Sequence, residues 1–415
     1  MPDFLFSKTH HHLHFPFSFH ERKFEISEHA ALYLTNTVRA LAISLVGIFL
    51  PIYIFNISGD YLFFHTNPTI NGISWVISYF LIRSVVVWLA ILLFGNLIFS
   101  KFHFQLSIMF SFLFLVIEIL LWQLSADNLI FILAAGFVAG FKTTFYWIPY
   151  HIFFLRKSGR KMRKFGKNTG LRFFLTRSMS AIGPALGGLI IVNFGFPVLF
   201  MTSIILLVVA ALPIAVVVHE WEHQEHNMVQ ILKKYLLNKR YLRLTMGFVG
   251  QGIDNWIYLI FWPILLFFVL HDFEKVGFIS SISFLLSSVA VLLIGKVIDK
   301  HGTKKIHGFG SLLNSLLYLP RMFFSSPTLF YSLDVTDRFL SGTYSLPIMS
   351  LSYQKANKLG GSDFILYREL CLHGGIIIAL FFIMLAFQVL TLWKWVFGLA
   401  MIGSLMTYLI ELDKN

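Results

Sequence analysis

The chain has 415 residues, of which 57% are hydrophobic and only 13% are charged, and its mean hydropathy is +0.75. Soluble proteins carry roughly 25% charged residues, so this composition excludes a soluble protein and indicates one embedded in lipid. The formal charge of +13 does not indicate a nucleic-acid partner, because the basic residues lie in short loops between apolar stretches. The single cysteine, Cys371, excludes an internal disulfide and a cysteine-rich metal site.

Twelve apolar stretches reach the length of about 20 residues with which a helix crosses a bilayer. They lie near residues 30–55, 72–94, 104–124, 129–155, 170–193, 196–218, 244–270, 276–294, 306–325, 328–352, 364–386 and 389–411. The sequence therefore predicts an all-α membrane protein with twelve transmembrane helices.

Lysine and arginine are concentrated in alternate loops. The loops 156–167, 219–243 and 295–305 are strongly basic, whereas the loops of the opposite set contain only Lys275. Basic loops remain on the cytoplasmic side of a membrane. Both termini are therefore predicted to be cytoplasmic, in a multi-pass protein of the cell membrane, either a plasma membrane or a bacterial inner membrane.

The longest internal linker lies at the centre of the chain and suggests two comparable halves. The predicted units are a cytoplasmic tail 1–29, a six-helix bundle 30–218, a cytoplasmic linker 219–243, a second six-helix bundle 244–411 and a tail 412–415. We expect the linker to contain an amphipathic helix that lies on the anionic inner leaflet.

The two halves repeat short patterns in the same order. Ile-Phe-x-Pro-Ile ends at Ile52 and again at Ile264, and Tyr-x-x-Pro ends at Pro149 and again at Pro347. Arginine precedes glycine by six residues at 177–183 and again at 368–374. Several echoes in the correct order indicate a duplication.

The basic loop after the eighth apolar stretch contains a motif. It resembles the loop signature of the major facilitator superfamily of secondary transporters, with anchors at Gly295, Asp299, Gly302, Lys304 and Lys305. The resemblance implies two parallel six-helix repeats, with a substrate site at their interface near the middle of the bilayer. It implies neither a cofactor nor a resident metal.

In that family the loop acts as a conformational latch. The resemblance implies that Asp299 lies against the positive N-terminal end of the fifth segment, around residues 169–172. An alternative is that Asp299 only offsets the neighbouring lysines. The corresponding loop of the first half departs from the pattern, since Phe99 stands where the family has an acid.

A second motif in the fifth segment contains Gly183, Pro184, Gly187 and Gly188. It resembles the Gly-Pro-x-x-Gly-Gly motif of the exchanger branch of the superfamily, which implies exchange. Small residues let helices approach closely and Pro184 bends the helix, so plain helix packing is the alternative.

Ionisable residues at membrane depth are costly and are candidates for function. With their polar neighbours, the substrate or proton-pathway candidates are Asn36, Arg39, Lys142, Tyr146, Arg177, Asp254, Asn255, Tyr258, Asp337, Arg338 and Arg368; Arg83, Asp334, Glu369 and His373 also lie at this depth. We rank Lys142 and Asp254 first, and expect them to meet across the interface. For each candidate a structural ion pair is the alternative, as for Asp334 and Arg338, which are four residues apart.

A competing pattern is His219-Glu220-Trp221-Glu222-His223, which matches the zinc-binding H-E-x-x-H of metalloproteases. It lies in the inter-half linker, where no dry cavity is expected, so a protease is a remote alternative. The N-terminal histidines could bind metal loosely; a disordered tail is the other interpretation. A non-transporting scaffold of the same fold is a third alternative.

The sequence favours secondary active transport of a small organic solute by alternating access, coupled to protons or another ion and operating by exchange or efflux. Uniport or symport of an anionic metabolite is the alternative, because cations outnumber acids at membrane depth. We expect a monomer in the lipid bilayer that is not an enzyme and does not bind nucleic acid.

Overall fold

The computed structural model describes residues 28–59, 61, 64–101, 104–159, 174–216, 226–323, 326–387 and 393–412. Regular structure within these ranges is entirely helical. The first helix group consists of α1 Glu28–Gly47, α2 Phe49–Ser58, α3 Pro68–Lys101, α4 Phe104–Leu124, α5 Ile130–Gly159 and α6 Gly183–Ala215, with a further helical stretch at 174–180.

A short helix, α7 Met228–Ile231, lies in the linker. The second helix group consists of α8 Leu242–Leu270, α9 Phe273–His301, α10 Thr303–Leu316, α11 Tyr318–Phe323, α12 Pro327–Leu359, α13 Ser362–Ala386, α14 Val396–Met406 and α15 Leu409–Leu412.

Eight helical stretches among the described residues are long and apolar enough to cross a membrane. One of them, Phe174–Ala215, is interrupted at Gly195, whose φ of 80° and ψ of 175° suit glycine. The interruption falls in the predicted turn between the fifth and sixth segments. α12 is not among the eight because Asp334, Asp337 and Arg338 lower its hydropathy.

Helix pairing in the first group recurs in the second. α1 packs on α6 as α8 packs on α13, and α5 contacts both α3 and α4 as α12 contacts both α9 and α10. The two groups meet mainly where α6 packs on α9 and where α3 packs on α13. α2 also packs on α8, and α5 contacts α12 and α13, so α5, α8 and α12 border the interface between the groups.

The paired prolines of the predicted repeat occupy corresponding helices. Pro51 lies in the first turn of α2, and Pro263 lies inside α8. Pro149 and Pro347 lie inside α5 and α12, which have the same neighbours in their groups.

The glycine motif at the start of α6 is a packing surface. A Cβ added to Gly183 would lie 1.9 Å from Ser44 Oγ, and one added to Gly187 would lie 2.4 Å from the Leu45 carbonyl oxygen. A Cβ on Gly188 would lie 2.6 Å from the Phe273 carbonyl oxygen. The motif therefore lets α6 contact α1 on one side and α9 on the other.

Pro184 lies in the first turn of α6, directly after a turn at 181–182 that separates α6 from the helical stretch before it. Proline is favoured at the start of a helix because its missing N–H has no intrahelical partner there. The predicted bend is thus a break in the helix.

The predicted hairpin at 295–305 is two helices joined at one glycine. α9 ends at His301, Gly302 has a φ of 86°, and α10 begins at Thr303. Lys304 donates to the Glu411 carbonyl oxygen at 3.3 Å, and Lys305 is exposed.

The structure bears on the two ends of this loop motif differently. No described atom lies within 4 Å of a Cβ added to Gly295, so no described contact requires glycine there. The Asp299 side chain and residues 169–172 lie outside the described part of the structure, so the latch stays a prediction.

The described part of the linker is helical from Met228 to Leu236, where an α-helical turn continues into a π-helical turn, and a 3-10 turn follows at Lys239–Tyr241. The predicted position of this helix on the inner leaflet stays a prediction. The helix breaks because Asn238 is extended and its side chain accepts from the Arg240 N–H at 3.0 Å. Tyr235 is buried and stacks on Tyr367 of α13, so its apolar side faces protein.

Candidate functional site

A buried ion pair lies inside the first group. Glu118 is the one acid in the apolar helix α4, and its Oε2 lies 2.6 Å from Lys142 Nζ on α5. Tyr79 of α3 donates to Glu118 Oε1 at 2.5 Å. The Lys142 and Glu118 side chains are 14% and 1% exposed. Because an unpaired buried charge is costly, each stabilises the other.

Arg39 of α1 lies on a platform of aromatic rings of α5, which follow Lys142 by about one helical turn. Its Cζ lies 3.6 Å from the ring centroid of Tyr146 and 5.7 Å from that of Trp147. The Tyr146 hydroxyl donates to Asn36 Oδ1 at 2.7 Å, which fixes the ring under the guanidinium. The structure thus brings together Asn36, Arg39 and Tyr146, as expected for residues that share one site.

Arg83 reaches from α3 across the interface. Its Nε and Nη2 donate to Thr143 Oγ1 at 3.2 Å and 3.1 Å, and its Cζ lies 4.0 Å from the ring centroid of Trp256 on α8. Phe80 also contacts Trp256, with 6.0 Å between ring centroids. A cation–π contact of this kind spans the two helix groups.

Asp254 lies within the second group. It is 2% exposed, and it accepts from Asn314 Nδ2 at 3.1 Å and from the Tyr318 hydroxyl at 2.6 Å. Asn314 also donates to Ser404 Oγ at 2.9 Å. Among the described residues no cation lies within ion-pair distance of this carboxylate. Asp254 is therefore a buried acid whose partners are all neutral.

The predicted contact between Lys142 and Asp254 is wrong in this conformation. Lys142 is held by Glu118 on the neighbouring helix, and Asp254 points toward α10 and α14. Each side chain has hydrogen-bonding partners inside its own helix group. These partners offset the cost of burying it, so neither side chain needs a partner across the interface.

The remaining ionisable candidates of α12 form local pairs. Arg338 Nε lies 3.6 Å from Asp334 Oδ1, and Arg321 Nη2 lies 2.9 Å from Asp337 Oδ2. Trp262 donates to Asp334 at 2.6 Å, and the Tyr258 hydroxyl lies 3.4 Å from the same oxygen. Tyr258 therefore belongs to this pairing network.

One face of α8 carries two amide side chains between α12 and α13. Gly252 on one side packs on the Leu372 carbonyl oxygen of α13, and Tyr258 on the other side contacts Asp334 of α12. Gln251 and Asn255, one turn apart, lie between these two contacts. Asn255 is exposed, whereas Gln251 is buried and its Oε1 has no hydrogen-bond partner among the described residues.

Contacts join the groups at both ends of the bundle. At one end His151 of α5 hydrogen-bonds the Tyr353 hydroxyl of α12 at 2.7 Å, and its Nε2 lies 3.9 Å from Glu369 Oε1. At the other end Phe55 and Phe268 meet with ring centroids 5.1 Å apart. Arg83 and Trp256 lie in the middle parts of α3 and α8, so their contact joins the groups between the two ends.

The two candidate arginines of the repeated Arg-to-Gly spacing, Arg177 and Arg368, have different partners. Arg177 donates to Ser287 at 2.5 Å and to Ser345 at 2.8 Å, so it links the first group to α9 and α12. Arg368 pairs with its neighbour Glu369 at 2.8 Å. Arg177 is an inter-group contact, and Arg368 is locally neutralised.

Sequence reasoning missed Glu118, Arg321 and Tyr79. The first two carry a signal in the sequence, because each is an ionisable residue within an apolar stretch. Tyr79 carries no such signal, since tyrosine is common in membrane helices.

The alternative metal sites fall mostly outside the described residues, which do not include 219–225 or the N-terminal histidines. Within the described residues, no group of three or more His, Cys, Asp or Glu could hold a metal ion. His226, which follows the H-E-x-x-H pattern, hydrogen-bonds Asp363 Oδ1 through Nδ1 at 2.7 Å.

No family model matches the chain, and no curated protein matches it. Solved structures do match. FucP, a Major Facilitator Superfamily transporter in the outward conformation, aligns with a TM-score of 0.61 at 12% identity, over 93% of this chain and 98% of that one. The nucleoside transporter NupG aligns with a TM-score of 0.59, and a NupG mutant with 0.63, each at 14% identity over 93% of this chain and 99% of the other. The chain has the fold of Major Facilitator Superfamily transporters.

Proposed function

We propose that the chain is a secondary active transporter that moves a small organic solute across a membrane by alternating access. The observation that carries this proposal is the layer formed by Arg39, Arg83 and Trp256 where the two helix groups meet, on helices between inter-group contacts at each end. Buried charge at such an interface is costly, and ionisable residues at membrane depth are by default candidates for binding a polar solute.

The architecture supports twelve transmembrane helices in two six-helix bundles. The interruption at Gly195 divides one of the eight apolar stretches into two, and α10 with α11, α12, and α14 with α15 supply three more. An even number of spans puts both tails, 1–29 and 412–415, on the same side of the membrane, which agrees with the proposal that both are cytoplasmic. The linker between the two bundles would lie on that side too. We further propose a monomer in the cell membrane.

Alternating access would open one end while the other stays closed. The His151–Tyr353 hydrogen bond and the Arg177–Ser345 contact would separate in one state, and the Phe55–Phe268 contact in the other. The close α6–α9 packing at Gly188 would act as the pivot, because closely packed helices slide or rock as rigid bodies.

Asp254 is the proposed proton-binding group. Its partners Asn314 and Tyr318 are neutral, so a proton can bind without leaving a buried cation unpaired. Glu118 and Asp337 are held by Lys142 and Arg321, and protonating either would leave such a cation. The exchange mode stays a prediction, since the glycine motif is explained by packing.

The test begins with thermal unfolding of the purified protein against a panel of sugars, nucleosides, amino acids, organic acids and drugs. A solute at about 100 times its dissociation constant stabilises the folded state by roughly 2.7 kcal/mol. Each solute that binds is then offered, radiolabelled, to proteoliposomes with and without a proton gradient. We expect accumulation that an uncoupler abolishes. Uptake no faster than into protein-free liposomes, for every solute that binds, would refute the proposal.

A further inference from the structure

The buried charges of the first helix group are only partly paired. Lys142 is matched by Glu118, whereas no carboxylate of the described residues lies within 4.0 Å of Arg39 or Arg83. These two side chains are only 6% and 8% exposed. Glu118, which both arginines share as their nearby negative charge, is already held by Lys142. The layer therefore holds two buried arginines that have no ion-pair partner of their own among the described residues.

Both arginines are stabilised in a way that spares their hydrogen-bond donors. Tyr146 lies beside the Arg39 guanidinium and Trp256 beside that of Arg83, and a ring face attracts a cation without accepting its N–H groups. A guanidinium carries five N–H donors. Thr143 Oγ1 takes two of those of Arg83, through Nε and Nη2, so donors remain for an acceptor that is not part of the protein.

A third group faces the same place from the second helix group. His373 of α13 is 4% exposed, and its Nδ1 has no hydrogen-bond partner among the described residues. Its ring centroid lies 6.4 Å from that of Trp256, and it interacts electrostatically with Arg83. His373 Nδ1 is therefore a buried polar atom of the second group that lies near Trp256 and Arg83 and is free to contact a ligand.

We propose that the transported solute is a small organic anion whose carboxylate or phosphate group binds Arg39 and Arg83, with His373 as a further polar contact. This inference rests on the proposed transport function. Guanidinium groups match the geometry of both oxyanions with paired hydrogen bonds. The neighbouring rings of Tyr146, Trp147 and Trp256 suit an apolar or planar organic body.

An anion would also couple the two helix groups. Arg83 belongs to the first group and packs on Trp256 of the second, and His373 lies beside Trp256 on the second group. An anion bound by Arg83 and His373 would therefore contact both groups at once. Binding that is stronger in the closed arrangement would favour closure, as transport requires.

The test uses three probes of one shape on the purified full-length protein. Benzoate carries a carboxylate and phenylphosphate carries a phosphate. Benzamide has a similar shape but no charge. Dissociation constants are measured by thermal unfolding and by tryptophan fluorescence, for which Trp256 is a local reporter. We expect one or both anions to bind, and benzamide to bind at least about tenfold more weakly. The stronger anion identifies the headgroup.

Variants decide whether the arginines hold the anion. Arg39→Gln and Arg83→Gln should each weaken anion binding about tenfold or more, and Arg83→Lys should lie between wild type and Arg83→Gln. Lys275→Gln, which removes an exposed cation outside the bundle, is the matched control and should bind as wild type does. Arg83→Lys keeps the buried charge, so the comparison holds even if Arg83→Gln folds poorly.

Two results would overturn the inference. If benzamide binds as tightly as benzoate, or if the glutamine variants bind both anions unchanged, the layer does not select an anion; transport of a neutral solute found in the metabolite panel would still stand. If neither these probes nor any member of the panel binds, both the inference and the proposed transport fail.

Discussion

The two helix groups neutralise their buried charges in the same way but leave residues of opposite sign. The first group pairs Lys142 with Glu118 and leaves Arg39 and Arg83 without a carboxylate. The second pairs Arg321 with Asp337 and leaves an acid with neutral partners. The two helix groups thus differ in their unpaired groups, which is where we propose that solute and proton bind.

The largest expected effect concerns the paired charges, which should behave alike in both groups. Lys142→Ala leaves the buried Glu118 with no described cation within ion-pair distance, and Arg321→Ala does the same to Asp337, so each should lower the free energy of unfolding by about 3–5 kcal/mol. Thermal unfolding in detergent measures this loss.

The controls for that prediction are a double variant and an unpaired cation. Lys142→Ala combined with Glu118→Gln should recover much of the lost stability, because no unpaired charge remains. Arg83→Gln should cost less than either single variant, since it strands no carboxylate. A larger loss for Arg83→Gln than for Lys142→Ala would contradict the division into paired and unpaired charges.

An intermediate effect on stability is expected at the glycines of the Arg-to-Gly repeat, which match in sequence but are packed differently. Gly183 and Gly374 follow their arginines at the same spacing, yet an added Cβ lies 1.9 Å from Ser44 Oγ at the first and no nearer than 3.8 Å to Trp88 Nε1 at the second. Gly183→Ala should destabilise by about 1–3 kcal/mol, because Leu45 backbone also lies within 2.7 Å. Gly374→Ala should be neutral or stabilising by up to about 1 kcal/mol.

Thermal unfolding of the two alanine variants side by side tests this difference. Equal losses would show that glycine is required at both positions for a reason other than close packing.

The smallest effect distinguishes the helix caps of the two groups. Asp272 accepts from the N–H groups of Lys275 and Glu274 at the start of α9, and Asn67 accepts from those of Thr69 and Ile70 at the start of α3. Replacing either by alanine should cost about 1 kcal/mol at neutral pH. The exposed Asp272–Lys275 ion pair adds little.

The two caps should respond differently to acid. The backbone N–H of Lys275 lowers the pKa of Asp272 below its usual value. A carboxylate with a lowered folded pKa stabilises the protein above its unfolded pKa of about 3.9, and this contribution is lost as the pH falls through the folded pKa. The Asp272→Ala deficit should therefore stay constant from about pH 7 to about pH 5 and shrink as the pH falls below about 4, whereas the Asn67→Ala deficit should not change. Parallel pH profiles would contradict the assignment.

The sequence predicted the fold well because the fold depends on long apolar stretches and small-residue contacts. The turn at Gly195 and the break after His301 fell where the pattern put them. The linker was less predictable, since Asn238 ends the helix through its own side chain and Tyr235 packs on α13, neither of which a basic amphipathic pattern reveals.

The structure brings some of the predicted site residues together and separates others. Asn36, Arg39 and Tyr146 are in contact, because two of them are one turn apart and the third lies on a neighbouring helix. Lys142 and Asp254 do not meet, because burial favours the nearest partner, and one sequence does not show which helices are adjacent. Pairing in three dimensions decides which charges are left unmatched.

The most direct test of the account measures binding and coupling separately in two variants. Asp254→Asn and Arg83→Gln are reconstituted, and each is assayed for counterflow and for gradient-driven accumulation of the tightest-binding solute of the panel. We expect Asp254→Asn to retain counterflow while losing accumulation, and Arg83→Gln to lose both through weakened binding. Full proton-driven accumulation by Asp254→Asn, with unaltered binding by Arg83→Gln, would contradict the assignment of proton and solute to the two helix groups.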